Sequence, residues 1–265
     1  MESALLAHEP QVRLAVFLGV LLLMAGLERL APRRPPAPGL RRASNFAILI
    51  LGTLVVRFGF PLLAVGMALV SQARGWGLFN LVALPFWLEL AASVLLLDLA
   101  IYLQHRLFHA VPWLWRLHRM HHADTGFDVT TALRFHPLEI WLSMALKLAL
   151  VALLGPPALA VLVFELLLNA TAMFNHANVR LPAGLDRMLR AVLVTPDMHR
   201  VHHSLHREET DSNFGFCLSV WDRLLGSYRA QPRDGHEAMA IGLAEFRDAA
   251  EQRLDRLLTQ PFRAS

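Results

Sequence analysis

The stretch IWLSMALKLALVALLGPPALAVLVFELLLNATAMF, residues 140–174, decides how this chain folds. As one helix of 35 residues it would far exceed a hydrocarbon core of roughly 30 Å, at about 1.5 Å per residue. Gly155-Pro156-Pro157 interrupts it, since proline removes a helical donor and clashes with the preceding turn. The stretch therefore reads as a hairpin of two short helices, one entering the membrane and one returning to the side it left. The return matters because histidines flank it. His105-x3-His109 and His118-x2-His121-His122 precede it, and His176 and His199-x2-His202-His203 follow it. With a single crossing the two sets would lie on opposite sides of the membrane and could share no centre.

Composition agrees with a membrane location. The chain has 265 residues, 55% hydrophobic and only 17% charged, with a mean hydropathy of +0.42, too oily for a soluble domain of this size. The net charge of +4 does not gather into one long basic patch, so no nucleic-acid partner is expected. The single cysteine, Cys217, excludes an internal disulfide framework and a cysteine-rich metal site.

Three further apolar runs precede the hairpin. Residues 12–30 read as a retained anchor, because Glu2 and Glu9 spoil the basic region of a signal peptide and no small-residue cleavage site follows. Residues 31–42, APRRPPAPGLRR, read as a loop. Residues 45–70 and 79–104 are each long enough to cross a bilayer, which takes about 20 apolar residues. They carry Arg57, Glu89 and Asp98, and an isolated charge at that depth costs at least about 2.5 to 3.5 kcal/mol. A pair of Arg57 with Glu89 or Asp98 is expected to lock the two spans. Asp98, two turns before His105, is alternatively placed to support that imidazole. The linker arginines should be cytoplasmic by the positive-inside bias, which puts every histidine box on the cytosolic side. Residues 177–235 are polar and loop-rich, and residues 238–258 read as an amphipathic helix, with Leu243, Phe246, Ala250, Leu254 and Leu257 on its apolar face.

The expected architecture is an all-α, multi-span membrane protein with a histidine-rich cytosolic cap. Residues 1–44 form the anchor and linker, 45–235 the histidine-bearing region containing the hairpin, and 236–265 a C-terminal helix packed on the cap.

On a helix, residues at i, i+3 and i+4 are neighbours. Each box therefore presents its imidazoles in one direction, and neutral imidazole suits iron, copper or zinc. His105, His109, His118, His121, His122, His176, His199, His202 and His203 are nine candidate ligands. One zinc normally takes four ligands, so nine argue for two metal ions. His8 and His236 are expected to be ordinary residues. His136 and His206 stand outside the ligand set as possible supports, and Asp197, just before the third box, is a candidate to orient it.

The boxes, the segment His136-Pro137-Leu138-Glu139, the run Asn175-His176-Ala177-Asn178 and the stretch ETDSNFGFCLSVWDRLLGSY, residues 209–228, resemble the fatty acid hydroxylase and sterol desaturase superfamily of membrane-bound di-iron oxygenases. The resemblance covers roughly residues 80–230. It implies two iron ions, which zinc can replace in purified protein, held by those nine histidines, with O2 as co-substrate and a lipid as substrate. Some members carry a further histidine where this chain has Arg180, so one metal would lack a ligand unless His136 compensates.

The chemistry expected is attack on an unactivated C–H bond of an acyl, alkyl or sterol-like chain, ending in hydroxylation or desaturation. No haem, flavin or nucleotide motif is recognisable, so electrons must come from an external donor, a ferredoxin-like or cytochrome-like reductase system. The expected location is a bacterial inner membrane. A zinc hydrolase is the rival enzyme, weakened by the absence of HExxH. A metal-transport or other non-enzymatic metal-binding membrane protein is weaker still, because the histidines cluster at span ends rather than at the midplane.

Overall fold

The computed structural model of the chain describes residues 2–37 and 39–264; Pro38, inside the Pro/Arg linker, lies outside them, as do Met1 and Ser265. Among the described residues the structure is helical, with three isolated β-bridges and no strand. A short α1 (Glu2–Ala7) leads into α2 (Glu9–Leu30), followed by α3 (Leu40–Gly59), α4 (Ala64–Arg74), α5 (Phe86–Ala110), α6 (Pro112–His122), α7 (Pro137–Leu154) and α8 (Ala158–Asn175). Among the described residues five segments are long and apolar enough to cross a membrane: α2, α3–α4 taken together, α5, α7 and α8. Leucines and aromatics such as Leu22, Phe58, Trp87 and Leu153 remain exposed on their outer faces, as lipid-facing surface requires. This is an integral membrane protein.

Prolines punctuate the bundle. Phe60, before Pro61, is extended (φ −132°, ψ 129°), because the proline ring disfavours helix at the preceding residue. The second span is thus kinked into α3 and α4. The stretch 140–174 forms α7 and α8, with Gly155 ending α7 in the left-handed region at φ +62°. At this far end of the bundle a Cβ on Gly77 would sit 2.2 Å from the Gly155 nitrogen, so both glycines are required for the close approach. Lying between α7 and α8, α4 packs against both.

At the opposite end, the C-termini of α2, α5 and α8 and the N-termini of α3 and α7 meet beneath the cap, which is built from α6, the loop after it and residues 176–264. At 25 residues, α5 is about 37 Å long against a hydrocarbon thickness of about 30 Å. Its last turns, bearing His105 and His109, therefore project into the cap.

Several expectations change. Arg57 is exposed and forms no ion pair among the described residues. Asp98 instead accepts from the backbone N–H groups of Cys217 and Leu218 (both 3.3 Å) and from Trp221 Nε1 (2.8 Å). The intramembrane ion cluster is elsewhere: Glu165 on α8 pairs with Arg13 of α2 (2.5 Å) and Lys147 of α7 (2.7 Å). The linker is not wholly a loop, since α3 begins at Leu40 and its buried Arg41 pairs with Asp124 (2.9 Å) and Asp128. Residues 238–258 do not form one amphipathic helix. Gly242 (φ +99°) and Phe246 (φ +60°) interrupt them, and the Arg247 guanidinium takes the carbonyls of Ile241 and Leu243 that a helix would use internally. Beyond one 3-10 turn at Ala249–Gln252, only a short helix, Leu254–Thr259, remains, packed on α3.

Candidate metal centre

The nine imidazoles converge from α5, α6, the end of α8 and a short helix, Pro196–His202, with its following residue His203, all buried. They fall into two groups: His105, His109, His118, His122 and His202 in one, and His121, His176, His199 and His203 in the other. The two HxxHH boxes are divided between the groups. The second box sends His118 and His122 to the five-histidine group and His121 to the other, while the third sends His199 and His203 to the four-histidine group and His202 to the first. A single direction per box was expected. At 3.6 residues per turn, i and i+4 lie about 40° apart but i+3 and i+4 lie about 100° apart, so one box straddles two centres.

The hydrogen bonds fix several tautomers. Nδ1 of His105, His121, His176 and His202 lies 2.8, 3.2, 2.7 and 2.7 Å from the carbonyls of Phe214, Arg134, Ala172 and Ser212. Nδ1 of His118 is 2.7 Å from Glu139 Oε1, and that of His109 is 3.2 Å from Asp211 Oδ1. Carbonyl and carboxylate oxygens only accept, so each Nδ1 carries the hydrogen and each Nε2 a lone pair. Yet Nε2 of His105 faces Nε2 of His118 and of His202, each at 3.1 Å, and Nε2 of His176 faces that of His121 at 3.2 Å. Converging lone pairs repel unless a cation lies among them. Among the described residues, His109 Nε2 and both nitrogens of His122 and His203 have no hydrogen-bond partner, an expensive condition for buried polar atoms. The donor atoms of each group lie within 4.8 Å of one another, against about 4.2 Å for two imidazole nitrogens on opposite sides of one divalent ion. The residues fit two metal ions.

Electrostatics agree. Burial, reinforced by neighbouring imidazoles, holds His121, His122, His199 and His203 well below the usual histidine pKa. Burial brings His176 to about 4 and His202 to about 3. All are neutral at pH 7 and available as ligands. The imidazoles are buried in aromatic surroundings: Phe135 stacks on His121 (4.4 Å, 12°), and Trp115, Phe127 and Phe214 line the rest.

None of the four expected supporting residues bonds one of the nine imidazoles. Asp98 pins the loop at residues 217–221 to α5. His136 caps α7, accepting from Leu138 N–H (3.2 Å) and donating to Leu258 O (3.3 Å). Asp197 neutralises Arg200 and Arg33, and His206 pairs with Asp234 at 2.7 Å. Arg180 is 57% exposed and reaches outward to Glu237. The supports are instead Glu139, Asp211 and the four carbonyls. Glu139 carried a readable signal, a carboxylate entering an apolar helix two residues after a proline. The carbonyls had none. Asp222 also emerges here, its carboxylate receiving the Phe214 and Gly215 N–H groups (2.7 and 2.9 Å) and so fixing the loop whose carbonyl orients His105.

A cavity of about 420 Å³ lies between α3, α5, α7 and α8. Its walls are largely apolar, including Ile48, Val56, Ile101, Met144 and Phe216, and it reaches His105, His118 and Glu139.

A family model described as fatty acid hydroxylase matches residues 90–227, just over half of the chain and all nine histidines. The chain belongs to the fatty acid hydroxylase family. Among similar proteins are an ornithine lipid hydroxylase of Rhizobium tropici, 31% identical over 59% of this chain and 46% of its own length; an alkylglycerol monooxygenase of Homo sapiens, 32% identical over 66% and 38%; and a cholesterol 25-hydroxylase of Rattus norvegicus, 28% identical over 60% and 52%. The chain thus spans about half or less of the length of these relatives. No solved structure matches it.

Proposed function

We propose that this chain is a membrane-bound lipid oxygenase in which the nine histidines hold two iron ions. The division of nine buried, neutral imidazoles into groups of five and four, with their lone pairs facing one another, carries the reading. The bound metals would supply reduction of O2 and oxidation of an unactivated C–H bond. Per turnover, one O2, two electrons and two protons would give one lipid hydroxyl and one water. The relatives bear hydroxylase and monooxygenase names, which favours hydroxylation over desaturation.

The protein's own part is positioning and exclusion. Glu139 and Asp211 would hold His118 and His109 in the tautomer that aims Nε2 inward. The four carbonyls do the same for His105, His121, His176 and His202. Because Arg180 faces outward and His136 is engaged in capping, neither adds a nitrogen to the four-histidine group, whose metal would be held by His121, His176, His199 and His203. The apolar cavity would deliver the lipid chain to His105 and His118 without a water path. The histidine end would face the cytosol, where an external donor supplies electrons. An outer groove lined by Arg33, Arg180, Arg187, Arg190 and Arg223 against Asp186, Asp197 and Glu237 keeps an excess of positive charge that would suit an acidic donor.

The test combines metal analysis of protein purified without air or added metal with comparison of lipid extracts from cells with and without the protein, under air and under nitrogen. Two irons per chain and a hydroxylated lipid made only under air are expected. Zinc alone, with turnover independent of oxygen, would overturn the reading.

A further inference from the structure

The cavity that reaches the histidines has a polar side that a purely apolar chain would not require. On α7, Glu139, Ser143 and Lys147 stand four residues apart and form one row along its wall. On α8, Asn169 and Glu165 form a facing row below His176. The rows meet at the 2.7 Å pair of Lys147 and Glu165, where Arg13 closes from α2 at 2.5 Å. The near end of the α7 row is fixed at the metal centre, because Glu139 lies 2.7 Å from His118. Lys147 is eight residues further along, so the charged cluster stands about 12 Å from that end.

Charged groups at such depth are kept where they meet a polar partner or serve a site. A lock between helices needs one ion pair, yet here the polar row continues through Ser143, which Gln104 bonds at 2.7 Å, down to the histidines. The charge balance narrows the occupant. Arg13 and Lys147 are offset by Glu165 and by Glu9, which pairs with Arg13 at 2.7 Å. The four charges of this cluster balance, and Arg57, the other cation on the cavity wall, stands on α3 outside it. At the Lys147–Glu165 pair itself a carboxylate or phosphate thus finds no excess attraction, whereas a hydroxyl can accept from the Lys147 ammonium and donate to a neighbouring oxygen without leaving a buried charge unpaired.

We propose that the cavity takes a lipid alcohol, its neutral hydroxyl held at the Lys147–Glu165 pair and its hydrocarbon body running to the histidines. The carbon attacked is then set by its distance from that hydroxyl. The inference rests on the oxygenase reading for its consequence but not for its binding step.

Two measurements separate them. In the first, purified protein in detergent is loaded with a fluorescent long-chain alcohol, which is displaced with 1-octadecanol, octadecanoate or octadecane. The alcohol should compete on the order of tenfold better than either alternative, the scale of one hydrogen bond to a charged group. Lys147→Met should abolish the preference and Lys147→Arg restore most of it, while Asn169→Leu, which leaves the ion cluster whole, should reduce it. In the second, products made from alcohols of increasing length are mapped. The new hydroxyl should keep a constant count from the original one, and Lys147→Met should scatter it. Equal binding of the alkane, stronger binding of the carboxylate, or a position counted from the methyl end each overturn the inference. Preferential alcohol binding with no oxidation of any lipid would leave the inference standing and remove the oxygenase reading. Oxidation without alcohol preference would do the reverse.

Discussion

Replacing Glu139 tests the metal centre at its best-defined support. Its Oε1 accepts from His118 Nδ1 at 2.7 Å, while Oε2 has no partner among the described residues, and the carboxylate is almost wholly buried. Glu139→Gln preserves the shape and one acceptor oxygen but removes the charge that makes the His118 imidazole a stronger donor to a metal. Loss of such a support typically weakens metal binding 10–100-fold, about 1.4 to 2.7 kcal/mol. Glu139→Leu goes further, because it leaves a buried Nδ1–H unpaired, a further cost of about 1 to 3 kcal/mol. Only the five-histidine group should respond, since Glu139 touches none of His121, His176, His199 and His203. The assay is competition with a graded chelator, reading metals per chain by mass spectrometry beside a thermal unfolding curve. At chelator levels that leave the unmodified protein with two metals, Glu139→Gln should retain one. Wild-type retention of both metals by Glu139→Gln and Glu139→Leu would refute the assignment of His118, and equal loss of both metals in folded protein would refute the division into two groups.

His176→Ala should remove the metal of the four-histidine group, whereas His136→Ala should leave metal content unchanged and cost about 1 kcal/mol of stability through the lost α7 cap. Arg180→Ala should not alter metal stoichiometry, because the side chain faces Glu237 outside the centre; a lost metal would contradict that placement. Gly155→Ala places a Cβ 2.3 Å from the Trp76 carbonyl at φ +62°, so it should lower the unfolding temperature by several degrees, a destabilisation of at least about 1–2 kcal/mol. Acid should destabilise the metal-free protein from about pH 6.5 downward. His176 and His202, depressed to about 4 and about 3, bind protons in the unfolded chain before the folded one, so each costs up to about 1.4 kcal/mol per pH unit until its folded pKa is passed. A flat stability profile between pH 6.5 and 4 would count against their burial as neutral groups.

Much of this was legible in the residue order. Helical spacing drew out the nine histidines, and Gly155-Pro156-Pro157 marked the break between two apolar helices, because backbone geometry and proline sterics act locally. The intramembrane charges were harder: Arg57, Glu89 and Asp98 were visible as costly, but which charge meets which depends on how helices rotate about their axes. Arg13, Lys147 and Glu165, scattered over 153 residues of sequence, became one cluster only through packing. Likewise the apolar periodicity of residues 238–258 suggested a helix, and tertiary contacts overrode it where Arg247 captured the carbonyls.

The sequence by itself determined an apolar multi-helix chain with nine clustered histidines on either side of a returning pair of helices, since composition, period and proline placement need no partner to be read. Only the tertiary structure decided how those histidines divide five to four and which oxygens hold them. Those oxygens are Glu139, Asp211 and the carbonyls of Phe214, Arg134, Ala172 and Ser212. The physical reason is that a carbonyl is the same at every residue. Its role is set by where the chain passes, which no pattern of side chains encodes.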